Sequence, residues 1–327
     1  MPDITTVTYF SYQIFILLTV ILSKVIVSHY INHEPLRFFQ FYCQKLSHKV
    51  NKPQNSKKQQ SIAGLLAILV TLTPITVILW MFESFVDVDF LWQSLLLYTA
   101  MGSFGLTQIN KDIAQALTVK QNHLAKQTLS EWVLRETDVL SSLGICKTSI
   151  EMKLLRTLQQ GFTVAIIFIL FGPLIALVYR LLLEMHYCWN TKLIIYRYFG
   201  LYSRNLINIV SWLPTRIFTL ILLMLSIGKN VKLYWNLISK YFFKLNNSVA
   251  LLLLALTLEI KLGGVVMYDD NINPKEKIRR PDLNDLARQP EITDLLQANN
   301  KIKAVITISL VLAISLAIAI EFINVNI

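Results

Sequence analysis

Three long apolar runs dominate the pattern of the chain: Phe10–Val27, Ile62–Phe82 and Ile302–Phe322. Each is nearly uncharged and, at ~1.5 Å per residue, long enough to cross ~30 Å of hydrocarbon as a helix. Phe90–Leu106, Phe162–Leu183 and Leu206–Ile227 are weaker candidates. Val249–Leu258 is short for a span and ends in Glu259 and Lys261, which reads as a buried or interfacial helix. Between the runs, Leu106, Ile109, Ile113, Leu117 and Leu124 recur at helical spacing, so residues 106–128 read as an amphipathic helix. Gly144 reads as a helix stop, and a new helix is expected from Thr148 or Ser149 through Glu151, Leu154 and Leu158 past Gly161. No alternating strand pattern or repeat occurs. The pattern predicts an all-α, polytopic integral membrane protein of about five to six transmembrane helices with a helical cytoplasmic layer. It is read as one domain over residues 1–327, with cytoplasmic segments 107–160 and 228–301 and a C-terminal transmembrane helix over 302–322.

The piece between the last two apolar runs differs in character. Gly263–Gly264 breaks a helix and Asp269–Pro274 is turn chemistry. After Arg279–Arg280–Pro281 two short polar helices are expected, the first capped by Asp282 or Asn284, the second starting near Glu291 after Pro290.

Composition agrees with the membrane reading: 54% of the 327 residues are hydrophobic and 16% charged, against ~25% charged in soluble domains. The first residues have no positive n-region and no small-residue cleavage site follows, so the first span is expected to be retained. Arg37, Lys45, Lys49, Lys52, Lys57 and Lys58 place residues 37–58 in the cytoplasm by the positive-inside rule. Counting spans onward puts Lys192, Arg197 and Arg204 outside, against that rule. Either 162–183 and 206–227 do not both cross, or their connector folds back into the protein.

The net charge of +11 is read as attraction to an anionic inner leaflet of a bacterial inner membrane, not as nucleic-acid binding, since no aromatic-interleaved basic face appears. Cys43, Cys146 and Cys188 have no zinc or disulfide-framework spacing, and the sequence assigns no metal ligands.

One apolar stretch carries polar groups a lipid-facing helix would not need: "YRYFGLYSRNLINIVSWLPTRI", residues 196–217. As one helix it would put Arg204, Asn208, Ser211 and Thr215 on one face, and Pro214 would free the carbonyl of Val210 beside them. That stripe either lines a polar interior or lies in the interface with its arginines snorkelling to phosphates.

This stretch resembles the signature of the CobD/CbiB family of cobalamin-biosynthesis membrane proteins, to which AmpE regulatory proteins are distantly similar. Other blocks agree in order: "HEPLRFF" resembles the family's entry loop, and "AKQTLSEWVLRETDVLSSLGICKTSIE" its Arg-Asp-Thr segment leading to a helix glutamate. "FGPLIALVYR" resembles the span that follows, and "LEIKLGGVVMYDDN" with "IRRP" its Leu-Gly-Gly and arginine blocks. The resemblance implies a ligase that joins aminopropanol or its phosphate to a carboxylate of adenosylcobyric acid, a corrinoid, with ATP and Mg²⁺. Its partners would be those substrates, the lipid bilayer and other membrane proteins of the pathway. It carries over Glu151, Glu136 and Arg135 as catalytic candidates, and Arg204, Asn208, Arg216, Tyr196, Arg197, Arg279 and Arg280 as substrate-binding ones.

No P-loop is present, since "GICKTS" lacks its spacing, so phosphate oxygens would fall to the arginines. Two blocks depart from the family. Its acidic and amide cluster after the helix glutamate is replaced by "LLRTLQQG", and a second by "LEMHYC". The alternative reading is therefore a non-catalytic, AmpE-like regulatory or sensor protein on the same scaffold.

Overall fold

The computed structural model describes residues 8–30, 36–102, 105–226, 235, 246–268, 277–280 and 282–325. In chain order the first helices are α1 (Tyr9–Tyr30), α2 (Arg37–Val50), α3 (Lys57–Glu83), α4 (Asp89–Ala100), α5 (Leu106–Thr118) and α6 (Asn122–Ser130). Next come α7 (Ser142–Arg156), a π-helical turn (Thr157–Phe162), α8 (Thr163–Phe171), α9 (Pro173–Cys188), α10 (Leu201–Val210) and α11 (Trp212–Met224). Helix α12 (Asn246–Thr257), strands β1 (Val265–Met267) and β2 (Lys277–Arg279), and α13 (Ile292–Val325) complete the order.

Four helices are long and apolar enough to cross a membrane: α1, α3, the continuous run Ser142–Phe171, and α13; the bent pair α10–α11 makes a fifth if taken as one span. The chain is thus an all-helical, polytopic membrane protein. The three strongest apolar runs lie inside α1, α3 and α13. Their outer faces are apolar: Leu69, Val70 and Trp80 on α3 and Leu312, Ile318 and Phe322 on α13 are all exposed. Such a surface suits the hydrocarbon of a membrane. Helix α3 starts with a capping box, Ser56 Oγ accepting from the Gln59 N–H while the Gln59 side chain accepts from the Ser56 N–H.

Several weaker expectations change. Phe162–Leu183 is not one span: α8 stops at Gly172, whose φ of 84° favours glycine, and Pro173 opens α9 at the position where its missing N–H costs nothing. Phe90–Leu106 yields only the twelve-residue α4. Gly144 does not stop a helix. Ser141 caps α7 by accepting the Gly144 N–H at 3.2 Å, and the helix runs from Ser142. The expected stripe on 204–217 is broken, because α10 and α11 meet at 51° around Ser211. Pro214 then falls in the first turn of α11, where a proline is tolerated. Ser211 and Thr215 are buried, whereas Arg204 and Asn208 are exposed.

A two-stranded antiparallel hairpin also appears, with Val266 opposite Ile278; three-residue strands leave no alternation to read. Its connecting turn at 269–276, including the expected Asp269–Pro274 turn, and Pro281 lie outside the described residues. Neither short polar helix stands alone. Leu283 and Arg288 make bridges to Leu262 and Ile260, and the second helix is the first turn of α13, with Asp294 accepting from the Glu291 N–H at 2.7 Å. Helix α12 is buried, as its short apolar run suggested.

The apolar interior divides into two cores. One gathers α5, α6, α7, α11, α12 and the start of α13; the other gathers α1 to α4, α8, α9 and Ile207 of α10. The helix Ser142–Phe171 belongs to both, and the π-helical turn sits where it passes from one to the other. The Thr163 hydroxyl donates to the Leu158 carbonyl five residues back at 2.8 Å, as the widened turn allows.

The loop before α10 is held by close backbone approach. A Cβ on Gly64 would lie 2.0 Å from the Phe199 carbonyl oxygen, so only glycine lets α3 meet this loop. Gly64→Ala is expected to lower unfolding stability in detergent by about 1–3 kcal/mol. Gly161→Ala, with open space around its Cβ, should be neutral or stabilising. Equal behaviour of the two in thermal unfolding would remove this account.

Candidate functional site

Glu151 points from α7 into the junction of three chain segments, and its side chain is 2% exposed. A buried carboxylate is costly unless paired and fully hydrogen-bonded. Here Arg135 Nη2 donates to Oε2 at 2.6 Å, and Arg280 Nη2 donates to Oε1 and Oε2 at 3.1 and 2.9 Å. The Gly263 N–H donates to Oε1 at 3.1 Å. Gly263 has φ of 81°, a conformation glycine adopts without strain and one that turns this amide toward the carboxylate. Thr148, one helical turn before Glu151, accepts from Arg135 Nη1 at 2.9 Å.

Each arginine is fixed through its own backbone. Arg135 forms a bridge with Tyr268, and the Glu136 N–H donates to the Met267 carbonyl at 3.0 Å, so the 132–137 segment docks on β1. The Arg280 N–H donates to the Gly264 carbonyl at 3.1 Å. Just beyond, Lys261 reaches Asp282 at 3.3 Å and also pairs with Asp285, hydrogen bonds that hold its pKa above the usual lysine range.

Two guanidinium groups share one carboxylate, leaving one positive charge in excess. Glu151 has three strong donors and is spent on holding them. The arginine side chains remain 15% and 23% exposed, so the cluster presents cations, not a free base, to an incoming group. Carboxylates and phosphates are what such planar donors recognise.

Of the sequence candidates, Glu151, Arg135 and Arg280 are therefore together, with Glu136 contributing its backbone. Arg279 pairs with Val265 in the hairpin, and its side chain is outside the described part. The remaining candidates lie elsewhere. The Tyr196 hydroxyl meets Ser47 Oγ at 3.3 Å, Arg197 is exposed, and Arg204 reaches Thr191 Oγ1 at 3.5 Å. Asn208 is exposed on α10, and Arg216 stacks on Trp212 within α11, 5.9 Å from the ring centre. The Glu151 cluster thus lies between α7 and the hairpin, and these residues on α10, α11 and the loop before them.

A second polar set, not anticipated, crosses the bundle at the π-helical turn. Arg180 and Glu184, both fully buried on α9, pair at 2.7 Å, and Gln40 donates to Glu184 at 2.8 Å. With its amide oriented by hydrogen bonding, the Gln160 carbonyl accepts from Arg180 and Arg156 at 3.1 and 3.3 Å. Gln159 accepts from the Tyr187 hydroxyl at 2.8 Å. Lys24, buried in α1, donates to the Met101 carbonyl and lies over the Tyr98 ring. The signals were present: a lone lysine in an apolar span, and an Arg–Glu pair one helical turn apart. Arg156, Gln159 and Gln160 lie in "LLRTLQQG", and Glu184 and Tyr187 in "LEMHYC", the two blocks that departed from the resembled pattern. Among the described residues, no group of three His, Cys, Asp or Glu side chains could hold a metal ion.

An all-helical, membrane-spanning bundle with an arginine–carboxylate cluster under a small hairpin defines the class. A family model described as CobD/Cbib protein matches residues 16–302, and the chain belongs to that family. A protein of Leptospira interrogans is 28% identical over 216 residues, covering 64% of this chain and 66% of its own length. Proteins of Chromobacterium violaceum and Halalkalibacterium halodurans are each 25% identical, covering 63% and 68% of this chain and 66% and 72% of theirs. All three are named cobalamin biosynthesis protein CobD. The chain thus spans just under two thirds of the length of the first of these relatives. No solved structure gives a significant match.

Glu151→Gln is expected to destabilise the protein by about 3–5 kcal/mol, because it leaves two guanidinium groups facing a neutral amide. Chemical unfolding in detergent measures this. A loss below ~1 kcal/mol would mean that water serves both arginines equally well.

Proposed function

We propose that the protein acts in cobalamin biosynthesis, in a bacterial inner membrane, as a ligase of the adenosylcobinamide-phosphate synthase type. It would join the amine of aminopropanol, or of its phosphate, to a carboxylate of adenosylcobyric acid. The observation that carries this reading is the Arg135–Glu151–Arg280 cluster, partly exposed and one positive charge in excess. Membership of the CobD/Cbib family and the names of the relatives support the pathway.

A carboxylate is a poor electrophile toward an amine, so the reaction needs acyl activation, which ATP supplies when bound. The basic side chains fit its phosphate oxygens in type, since guanidinium and ammonium groups donate to such oxygens. Mg²⁺ is a weaker fit, since Glu151 is committed to its arginines. In this reading Arg135 and Arg280 orient the substrate carboxylate and stabilise negative charge that grows on its oxygen as the amine attacks. Glu151 is a positioning residue: its carboxylate keeps Arg135 and Arg280 from rotating away, and preorganised charge is where such a site gains rate.

The engagement of Glu151 with three donors also favours a second reading. A carboxylate already saturated is what a non-catalytic, AmpE-like scaffold would retain for folding alone.

Purified protein in detergent, supplied with adenosylcobyric acid, aminopropanol phosphate, ATP and Mg²⁺, is expected to yield the amide product by mass spectrometry. Arg280→Ala should lower the rate at least ~100-fold, on the order of losing one transition-state donor. No product alongside an active family enzyme would turn the assignment to the regulatory reading.

A further inference from the structure

The cysteines are far apart in the chain, and two of them meet in the fold. Cys43 lies on α2, and Cys188 is the last residue of α9. The Cys188 thiol donates to the Gln40 carbonyl at 3.7 Å. On a helix, a side chain three residues further on borders such a carbonyl: Ser47, on the same helix, donates to the Gln44 carbonyl at 2.8 Å. Cys43 stands to Gln40 as Ser47 stands to Gln44, so both thiols border one carbonyl oxygen.

The seam on either side of the thiols is fixed. The Gln40 side-chain amide donates to Glu184, one turn before Cys188, at 2.8 Å. The Trp189 indole, one residue after Cys188, donates to the Cys43 carbonyl at 3.0 Å. Trp189 is fully buried and meets Phe199 edge-on, with ring centres 4.9 Å apart. Two polar contacts therefore bracket the pair and hold α2 against α9.

The two thiols differ in access. Cys43 is fully buried, whereas Cys188 is half-buried at the helix end. The hydrogen bond with Cys188, and burial after it, raise the Cys43 pKa above the usual thiol range. Cys43 is thus the poorer nucleophile toward a solute, and Cys188 the one a solute reaches. Cys146 belongs to the other core, on α7, and is 3% exposed.

We propose that Cys43 and Cys188 are a dithiol oxidation site for hydrogen peroxide, whose product is a disulfide that ties α2 to α9. The Cys188 sulfur attacks one peroxide oxygen: an S–O bond forms, the O–O bond breaks, and the thiol proton leaves with the other oxygen as water. The Cys43 sulfur then attacks the Cys188 sulfur. The S–S bond forms, the S–O bond breaks, and the departing hydroxyl takes the Cys43 proton as a second water. Two electrons pass from the thiols to the peroxide, and a dithiol reductant returns them. Helix α2 belongs to the basic segment that the positive-inside rule assigns to the cytoplasm, where thiols are kept reduced, so the bridge forms under oxidant and is reversed after it. It makes covalent a seam that includes the contact of Gln40 with the buried Glu184–Arg180 pair. The inference is independent of the reaction proposed above.

The test maps the thiols directly. Reduced full-length protein in detergent is treated with hydrogen peroxide, remaining thiols are blocked with iodoacetamide under denaturing conditions, and peptides are identified by mass spectrometry. A linked Cys43–Cys188 peptide is expected, lost on treatment with dithiothreitol, with Cys146 recovered alkylated. In Cys43→Ala, dimedone should trap a sulfenic acid at Cys188. In Cys188→Ala, oxidation of Cys43 should slow at least ~10-fold. Cys43 and Cys188 recovered unlinked from the peroxide-treated wild type, or Cys146 bridged as often as they are, overturns the site without recourse to any variant. Cys43 oxidising as fast without Cys188 overturns the order of attack. The bridged protein should also unfold at a Tm several degrees above the reduced form, because the link closes a long loop between elements already in contact. A lower Tm overturns the placement of the two thiols on one seam.

Discussion

A single buried carboxylate organises the half of the molecule that faces the hairpin. Glu151 receives hydrogen bonds from the 132–137 segment through Arg135, from the glycine turn through Gly263, and from the strand end through Arg280. None of these three pieces is long enough to be stable alone. Strands of three residues and an irregular loop have too little apolar surface to offset the entropy of ordering them. The carboxylate supplies the common partner, and its own burial is tolerable only because all three arrive. Folding of the hairpin and formation of the site are therefore one event.

The two cores give this junction its support. α7 is fixed in one of them and its continuation α8 in the other, so the helix that carries Glu151 is anchored on both sides. Where the cores meet, the interior becomes polar: Arg180 pairs with Glu184 and donates to Gln160 at the π-helical turn, and Gln159 accepts from Tyr187 beside them. A buried ion pair of this kind adds little stability, but losing either partner leaves an uncompensated charge. Through its bond to Gln160, Arg180 also ties the π-helical turn to α9.

Much of this was legible in the sequence, for uneven reasons. The spans in α1, α3 and α13 are long uninterrupted apolar runs, a signal that hydropathy alone carries. Glu151 and Arg135 were legible by resemblance, sixteen residues apart on the same block. Arg280 joins them from the far end of the chain, and only the fold shows that it shares the same carboxylate. The hairpin was hidden because three residues cannot display a period of two. The break at Ser211 was hidden because serine is no strong helix breaker, and Pro214 reads as freeing the Val210 carbonyl inside one helix when it lies in the first turn of another. Cys43 and Cys188 meet through the packing of α2 on α9, for which no local pattern exists.

The π-helical turn at Thr157–Phe162 has a consequence for how this sequence can change. Such a turn amounts to one residue more than an α-helix needs over the same distance. Deleting a single residue there would restore regular winding with the flanking faces kept, whereas deleting one from α7 just before it would rotate everything beyond by about 100° relative to everything before. Val164 and Phe168 would leave the second core while Leu170 and Phe171, now exposed, swung inward. The helix length between Glu151 and Gly172 is therefore counted in single residues, and the spacing itself, independent of which side chains fill it, is part of what the gene must preserve.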